Sequence, residues 1–282
     1  MKRKRVSYVH YILLTALCLS IGASCANGQI LVGPVAGGQV CFLSFYNKDN
    51  KDLYKIKPYY GFNAGGSISF RVRNDFFLQT SVLYSQKGKH MKGREDSLFN
   101  LSVKYRYIDV PILFTKELKV KFGKDRFYKI HLGIGPDVSY WLGGKGVLAN
   151  SDLNENGINP PNYDLPYHVT FKKIDQTEVA EDEMNVQNPN RIQLGMIFSA
   201  GAVFEPDKFN RFMVSAQYTL GHSFLSPPEG QGDFGHQNVL FYKDDLQTRF
   251  HVIAVSVAYF LDLNTEERKK GKSTINEKKP RR

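Results

Sequence analysis

The sequence predicts an all-β protein, an eight-stranded antiparallel up-and-down transmembrane β-barrel with long extracellular loops. Three observations lead there. From residue 30 onward the chain alternates with a period of two and sustains no helical period. In each alternating segment a large apolar face opposes a small or polar one, as in a strand that meets lipid on one side only. The connections are long and short by turns, as in barrels that gather loops at one end and tight turns at the other. A soluble sandwich also alternates, but the loop asymmetry and an export leader favour the membrane. A barrel strand crosses a bilayer with about 9–11 residues, so no long apolar helix is required.

The first element is the leader. MKRKR, then YILLTALCLSIG, then ASCANGQ give a basic start, an apolar core and small residues, the order of a secretory signal peptide spanning residues 1–28. The apolar run falls short of the roughly 20 residues of a membrane-spanning helix. Cleavage falls between residues 25 and 28, with Ala26 and Gly28 at the small positions or directly after Cys25. Gly22 stands where a lipid-anchoring signal wants Leu, which argues against a lipidated Cys25.

Eight alternating segments follow, near 30–46, 58–72, 76–88, 102–117, 127–143, 191–205, 211–224 and 248–261, within a barrel domain of residues 29–261. In FFLQTSVLYSQKG, Phe76, Leu78, Thr80, Val82 and Tyr84 share one face, while Phe77, Gln79, Ser81, Leu83 and Ser85 share the other. In the last segment Ile253, Val255, Val257 and Tyr259 oppose Val252, Ala254, Ser256 and Ala258. The connections at 47–57, 89–101, 144–190 and 225–247 are long; those at 73–75, 118–126 and 206–210 are short. An even strand number places both termini at the short-turn, periplasmic end. Tyr59, Tyr60, Tyr105, Tyr107, Tyr140 and Trp141 lie near strand ends, where interfacial aromatic girdles are expected.

Charge excludes a nucleic-acid role. The formal +11 falls to +7 once Lys2, Arg3, Lys4 and Arg5 leave with the signal, and the tail 262–282 holds +4 of that. The body is mildly basic, and the tail reads as solvated, disordered periplasmic chain. Cys41 is the single cysteine left after the leader, so no internal disulfide forms; a small side chain on a strand is its reading.

The candidate site is a charge network in the lumen. Tyr107, Asp109, Pro111 and Leu113 share one face of the fourth segment; Ile108, Val110, Ile112 and Phe114 share the face suited to lipid. Asp109 therefore points inward, where a carboxylate needs a partner. Lys129, His131 and Asp137 share one face of the fifth segment, and Arg71 offers an inward charge on the second. Lys129 or Arg71 is the expected neutraliser, in a structural network rather than an active site. Lys104 and Arg106 have the opposite parity and point outward. Pro111 removes a ladder donor, which predicts a bulge or locally open pairing in the periplasmic half of this strand.

Two other motifs carry weaker chemistry. In DLNENG, Asp152, Asn154 and Asn156 before Gly157 match the first half of a calcium loop. Tyr163 stands where the closing acid belongs, with Asp164 one later, and a polar turn before Pro160 and Pro161 accounts for the same residues. Calcium is the one cofactor the sequence raises. His222 and Ser223, with His236 in the following loop, form the nearest thing to a catalytic pair, but adjacent strand residues face opposite ways.

YSQKG at the end of the third segment, followed by YRYIDVPILF, resembles the PorT-like outer-membrane β-barrel family of Bacteroidetes. GIGPDVSYWL and DDLQTRFHVIAVSVAYF resemble that family's following and closing strands. The resemblance implies a non-enzymatic outer-membrane protein in contact with lipid and with secretion-machinery proteins, as an accessory or assembly component of type IX protein secretion. Eight strands enclose a space that side chains just fill, so such a barrel cannot itself be the conduit. A barrel working alone as a narrow channel, a surface-binding protein or a lipid-modifying enzyme is the alternative.

Overall fold

The structure, a computed structural model, describes residues 29–46, 48–73, 75–94, 99–122, 126–149, 164–171, 183–186, 189–206, 209–226, 234–235 and 247–263. The expected leader, the DLNENG motif with Asp152, Asn154 and Asn156, His236 and tail residues 264–282 lie outside the described residues. Among the described residues no helix is long and apolar enough to cross a membrane.

The alternating segments all become strands: β1 (Ile30–Phe45), β2 (Tyr59–Arg73), β3 (Phe76–Gly93), β4 (Asn100–Phe122), β5 (Arg126–Ala149), β6 (Ile192–Phe204), β7 (Asn210–Gly221) and β8 (Thr248–Asp262). Each pairs antiparallel with its neighbours in sequence, and β1 pairs with β8 from Leu31↔Asp262 to Phe45↔Thr248. The eight strands thus form a ring. A ring leaves no strand edge with unpaired backbone groups, the condition for a sheet in hydrocarbon.

Side-chain polarity in the ring is inverted relative to a soluble protein. Val82, Phe114 and Val255 are 57–61% exposed on the outer surface, whereas Ser67, Gln79, Asp109, Glu117, His131 and Ser139 are buried in the lumen. The end where β1 begins and β8 ends, the terminal end of the ring, has the short connections; Leu263 N–H donates to the Ile30 carbonyl and Asp262 N–H to that of Phe209 there.

At the other end β3, β4 and β5 run further than their expected limits and build a second body. Tyr54–Lys57 pairs with the extension of β3, and Leu165–Thr170 pairs with that of β5. Glu183–Val186 and Phe234–Gly235 extend this sheet. Its inner face carries Met91, Leu101, Val103, Tyr105, Tyr107, Trp141, Leu148, Tyr167 and Met184, packed with Cys41, Phe250 and Val252 over the lumen. This corrects the aromatic assignment. Tyr60 and Tyr140 are exposed, but Tyr105, Tyr107 and Trp141 are fully buried because their parity is that of the lumen, not of the lipid face.

A bulge keeps this second core in register. Arg106 pairs with Gly143 but Tyr107 pairs with Trp141, so Leu142 is an extra residue in β5. Gly143 sits at φ +142°, a conformation that disfavours side chains. The shift turns Leu148 inward and leaves Lys145 outside; an uninterrupted strand would do the reverse. At Pro111 the pairing is locally open rather than bulged. β3–β4 pairing lapses between Thr80↔Ile112 and Leu83↔Asp109, and β4–β5 pairing between Pro111↔Asp137 and Phe114↔Ile134, with no change of register.

Candidate functional site in the barrel lumen

The polar face of β3 runs Gln79, Ser81, Leu83, Ser85 and, two residues on, Lys87. Lys87 is the centre of the site. Its Nζ lies 2.9 Å from Asp109 Oδ1 and 2.9 Å from Ser139 Oγ, with both charged side chains at most 10% exposed. Ser139 in turn donates to Asp137 Oδ2 at 3.4 Å, so one ammonium serves two carboxylates. The ammonium also stands 4.8 Å from the centre of the Tyr107 ring, whose hydroxyl accepts from Gln193 Nε2 at 3.2 Å. Each of these contacts offsets part of the desolvation that a buried lysine incurs.

Hydrogen-bonded amides and hydroxyls fill the space beside it. Gln39 Nε2 donates to Ser85 Oγ and to the Gln86 carbonyl, both at 2.8 Å, and Asn63 Nδ2 donates to Gln39 Oε1 at 3.2 Å. Further toward the terminal end, Ser81 donates to Ser67 at 2.9 Å and Gln79 reaches the same hydroxyl at 3.2 Å. His131 Nε2 lies 3.2 Å from Ser199 Oγ. Gly201 makes room for that ring, since a Cβ there would stand 2.6 Å from His131 Cε1.

The terminal mouth carries a separate ion-pair group. Arg211 pairs with Glu117 and lies 3.7 Å from Glu205, which also pairs with Lys129. The guanidinium groups of Arg71 and Arg211 lie 5.6 Å and 5.0 Å from the Phe77 ring centre. These side chains border a cavity of about 180 Å³.

The network expected as one unit is therefore divided. Tyr107, Asp109 and Asp137 meet at Lys87, with Pro111 opposite Asp137; Arg71 and Lys129 belong to the terminal mouth, and His131 stands opposite Glu117 of that group while bonding to Ser199. Neither Lys129 nor Arg71 neutralises Asp109. Lys129 sits opposite Lys119, ten residues along β4 from Asp109, about 33 Å of strand at 3.3 Å per residue. Lys87, Glu117, Glu205 and Arg211 were not singled out from the sequence. Continuing the period-two count past Ser85 finds Lys87, and the same count along β4 from Asp109 finds Glu117.

Of the catalytic candidates, His222 and Ser223 fall among the described residues. Ser223 Oγ accepts from the Leu194 N–H at 2.9 Å, and His222 is exposed beside it. Among the described residues no group of His, Cys, Asp and Glu is placed to hold a metal ion.

Residues 24–223 match the family described as "Outer membrane protein beta-barrel domain". No curated protein matches the chain significantly in sequence. Among solved structures, the outer membrane protein OprG from Pseudomonas aeruginosa is 9% identical, with a TM-score of 0.44 over 83% of this chain and 95% of its own. Neisserial surface protein A is 10% identical with a TM-score of 0.31, covering 82% and 95%. Ail, the attachment invasion locus protein of Yersinia pestis, is 12% identical with a TM-score of 0.30, covering 82% and 98%. At such values nothing about activity transfers from them.

Proposed function

The chain belongs to the outer membrane protein beta-barrel domain family, and we propose that it works there as a non-enzymatic, non-conducting scaffold serving type IX protein secretion or its assembly. The carrying observation is the filled lumen. Lys87, Asp109, Asp137 and Ser139 bond to one another from β3, β4 and β5, Gln39, Asn63 and Ser256 continue the polar filling from β1, β2 and β8, and the buried rings of Tyr105, Tyr107 and Trp141 lie above them. An eight-stranded wall leaves little room beyond its own side chains. Binding to other proteins then falls to the parts outside the membrane, where the sheet beyond the barrel offers a rigid surface. The narrower assignment to type IX secretion rests on the likeness of YSQKG and YRYIDVPILF to PorT-like barrels. In this reading residues 1–28 direct export and the termini face the periplasm.

Planar-bilayer recording of the purified, folded protein tests the closed lumen: no unitary conductance is expected, and a steady channel would replace the scaffold by a narrow pore. Deleting the gene tests the assignment to secretion. Retention of type IX cargo in the periplasm is expected, and normal cargo release would remove that assignment while leaving the barrel reading intact.

A further inference from the structure

The outer face of the β3–β5 extension is basic where the lipid-facing belt ends. On β4 the outward residues run Phe114, Ile112, Val110 and Ile108, then Arg106 and Lys104. On β5 they run Leu132, Ile134, Val138, Tyr140 and Leu142, and beyond the bulge Lys145. Lys104 and Lys145 are direct cross-strand partners, and Lys145 is in turn paired with His168. One strand over, Lys55 stands opposite Lys92 and Lys57 opposite His90. Like charges placed opposite one another weaken a sheet, and this sheet repeats the arrangement in two places. Among the described residues no carboxylate bonds to Lys104, Arg106 or Lys145, all of them exposed. Among the described residues Glu183, opposite His168, is the acid paired in register with these rows. Across the ring, β7 continues its belt with Tyr218, Leu220 and His222, and β8 carries the single outward base Arg249, which stands over the Phe224 ring, so the paired basic rows belong to the β3–β5 side.

We propose that Lys104, Arg106 and Lys145 bind phosphate groups of the lipid leaflet at the long-loop end, clamping the β3–β5 extension to the membrane surface. The position carries this. Lys104 lies four residues beyond Ile108, about 10 Å of height on a strand tilted by about 45°. The headgroup layer is about 5–8 Å deep on each side of the hydrocarbon, so Arg106, about 5 Å above Ile108, stands within it and Lys104 stands just past its outer edge, with its side chain long enough to reach back. Long basic side chains on this face keep their stems along the apolar belt and their charges at the phosphates. Phosphate supplies a counter-charge to these three side chains, and its oxygens accept from guanidinium and ammonium together. The inference rests on the membrane-barrel family and not on the scaffold reading, so either can fail alone.

The test uses the folded full-length protein in mixed micelles containing lipid A with both phosphates, or the same lipid after phosphatase treatment, with bound lipid counted by native mass spectrometry. Wild type is expected to retain the phosphorylated lipid selectively. K104Q/R106Q/K145Q is expected to lose roughly 100-fold in affinity, about fivefold for each charge near an anionic surface. K104R/K145R should bind as wild type. Heat-modifiable gel mobility reports folding, and if the triple variant does not fold, Lys104→Gln alone, with its fivefold loss, decides. Equal retention of the two lipids, or wild-type binding by a folded neutral variant, would overturn the proposal. So would displacement of lipid A by equimolar inorganic polyphosphate, because it would assign the face to a soluble polyanion.

Discussion

Strand β4 contains two regions of opposite polarity that share a single alternation. From Ile108 to Glu117 the side chains of Ile108, Val110, Ile112 and Phe114 face outward, and Asp109, Leu113, Thr115 and Glu117 face the lumen. From Asn100 to Tyr107 the faces exchange chemistry: Leu101, Val103, Tyr105 and Tyr107 point inward, and Lys104 and Arg106 point out. The backbone does not change at this boundary; its surroundings do. In the barrel the outer surroundings are hydrocarbon and the interior is polar, while beyond it the outer surroundings are water and headgroups and the interior is an apolar core. The exchange between Arg106 and Ile108 therefore marks where the membrane ends, and the bulge at Gly143 falls at the same level on β5.

The largest expected effect comes from breaking the polar interior. Lys87→Met leaves Asp109 and Asp137 buried without their ammonium. Removing one partner of a buried ion pair costs about 3–5 kcal/mol. A lowered urea midpoint is expected for the whole barrel, read by heat-modifiable mobility. Trp141 is the only tryptophan, so its emission reports separately on the core above. K87M/D109N should recover part of the loss by removing one of the stranded charges.

Met184→Ala strikes the other interior. Met184 is fully buried in the apolar core on Glu183–Val186, away from the ring. A Met→Ala truncation in a core costs about 2–5 kcal/mol. Trp141 fluorescence should shift at lower urea while the barrel's mobility transition stays put. A common shift of both signals would show that the two bodies unfold as one and would remove the division drawn here.

These two interiors also explain what could be read from the sequence. All eight ring strands were legible because period-two alternation survives on either side of the membrane boundary. The lengths of β3 and β5 at the long-loop end were not, since past Gly88 and Gly143 the outward residues turn from apolar to basic, which imitates the end of a strand, and β4 outran its expected limit by five residues at the short-turn end. The same exchange misplaced Tyr105, Tyr107 and Trp141 in a girdle: aromatic residues near a strand end suit both an interface and a core, and only parity separates them. Asp109 was legible as an inward carboxylate from its neighbours on β4. Its partner was not, because residue type alone does not say which of several inward bases lies at the same height. Register puts Lys129 about 33 Å of strand away, and the partner is Lys87, which pairs with Tyr105 four residues along β4 and reaches back to Asp109 through its long side chain.

The boundary itself can be tested by placing one charge on either side of it. Ile112→Arg sets a guanidinium on the outward face among Val110, Phe114 and Ile134, at a cost of about 2–4 kcal/mol for a charge at the midplane of a bilayer. Ser102→Arg has the same parity on the same strand but lies beyond Lys104, and surface substitutions of that kind stay within about 0.5 kcal/mol. Folding yield into vesicles should fall for the first variant and not for the second. Equal yields would move the membrane boundary.

Gly143→Ala is the finest test, because it acts on the device that joins the two regions. Gly143 holds φ +142° so that Leu142 can be accommodated as an extra residue. A side chain in that backbone region costs about 1–3 kcal/mol. The bulge can absorb the strain locally, with Leu148 still inward and Lys145 still outward, and then a small loss of stability is the whole effect. If instead the strand reverts to unbroken alternation, Leu148 turns to water and Lys145 to the apolar core. Deleting Leu142 forces that second outcome by removing the extra residue. Protease sensitivity of the extension, compared between G143A and the deletion, distinguishes them: the point variant should resist cleavage nearly as wild type does, and the deletion should be cut within β5 while the barrel below remains protected.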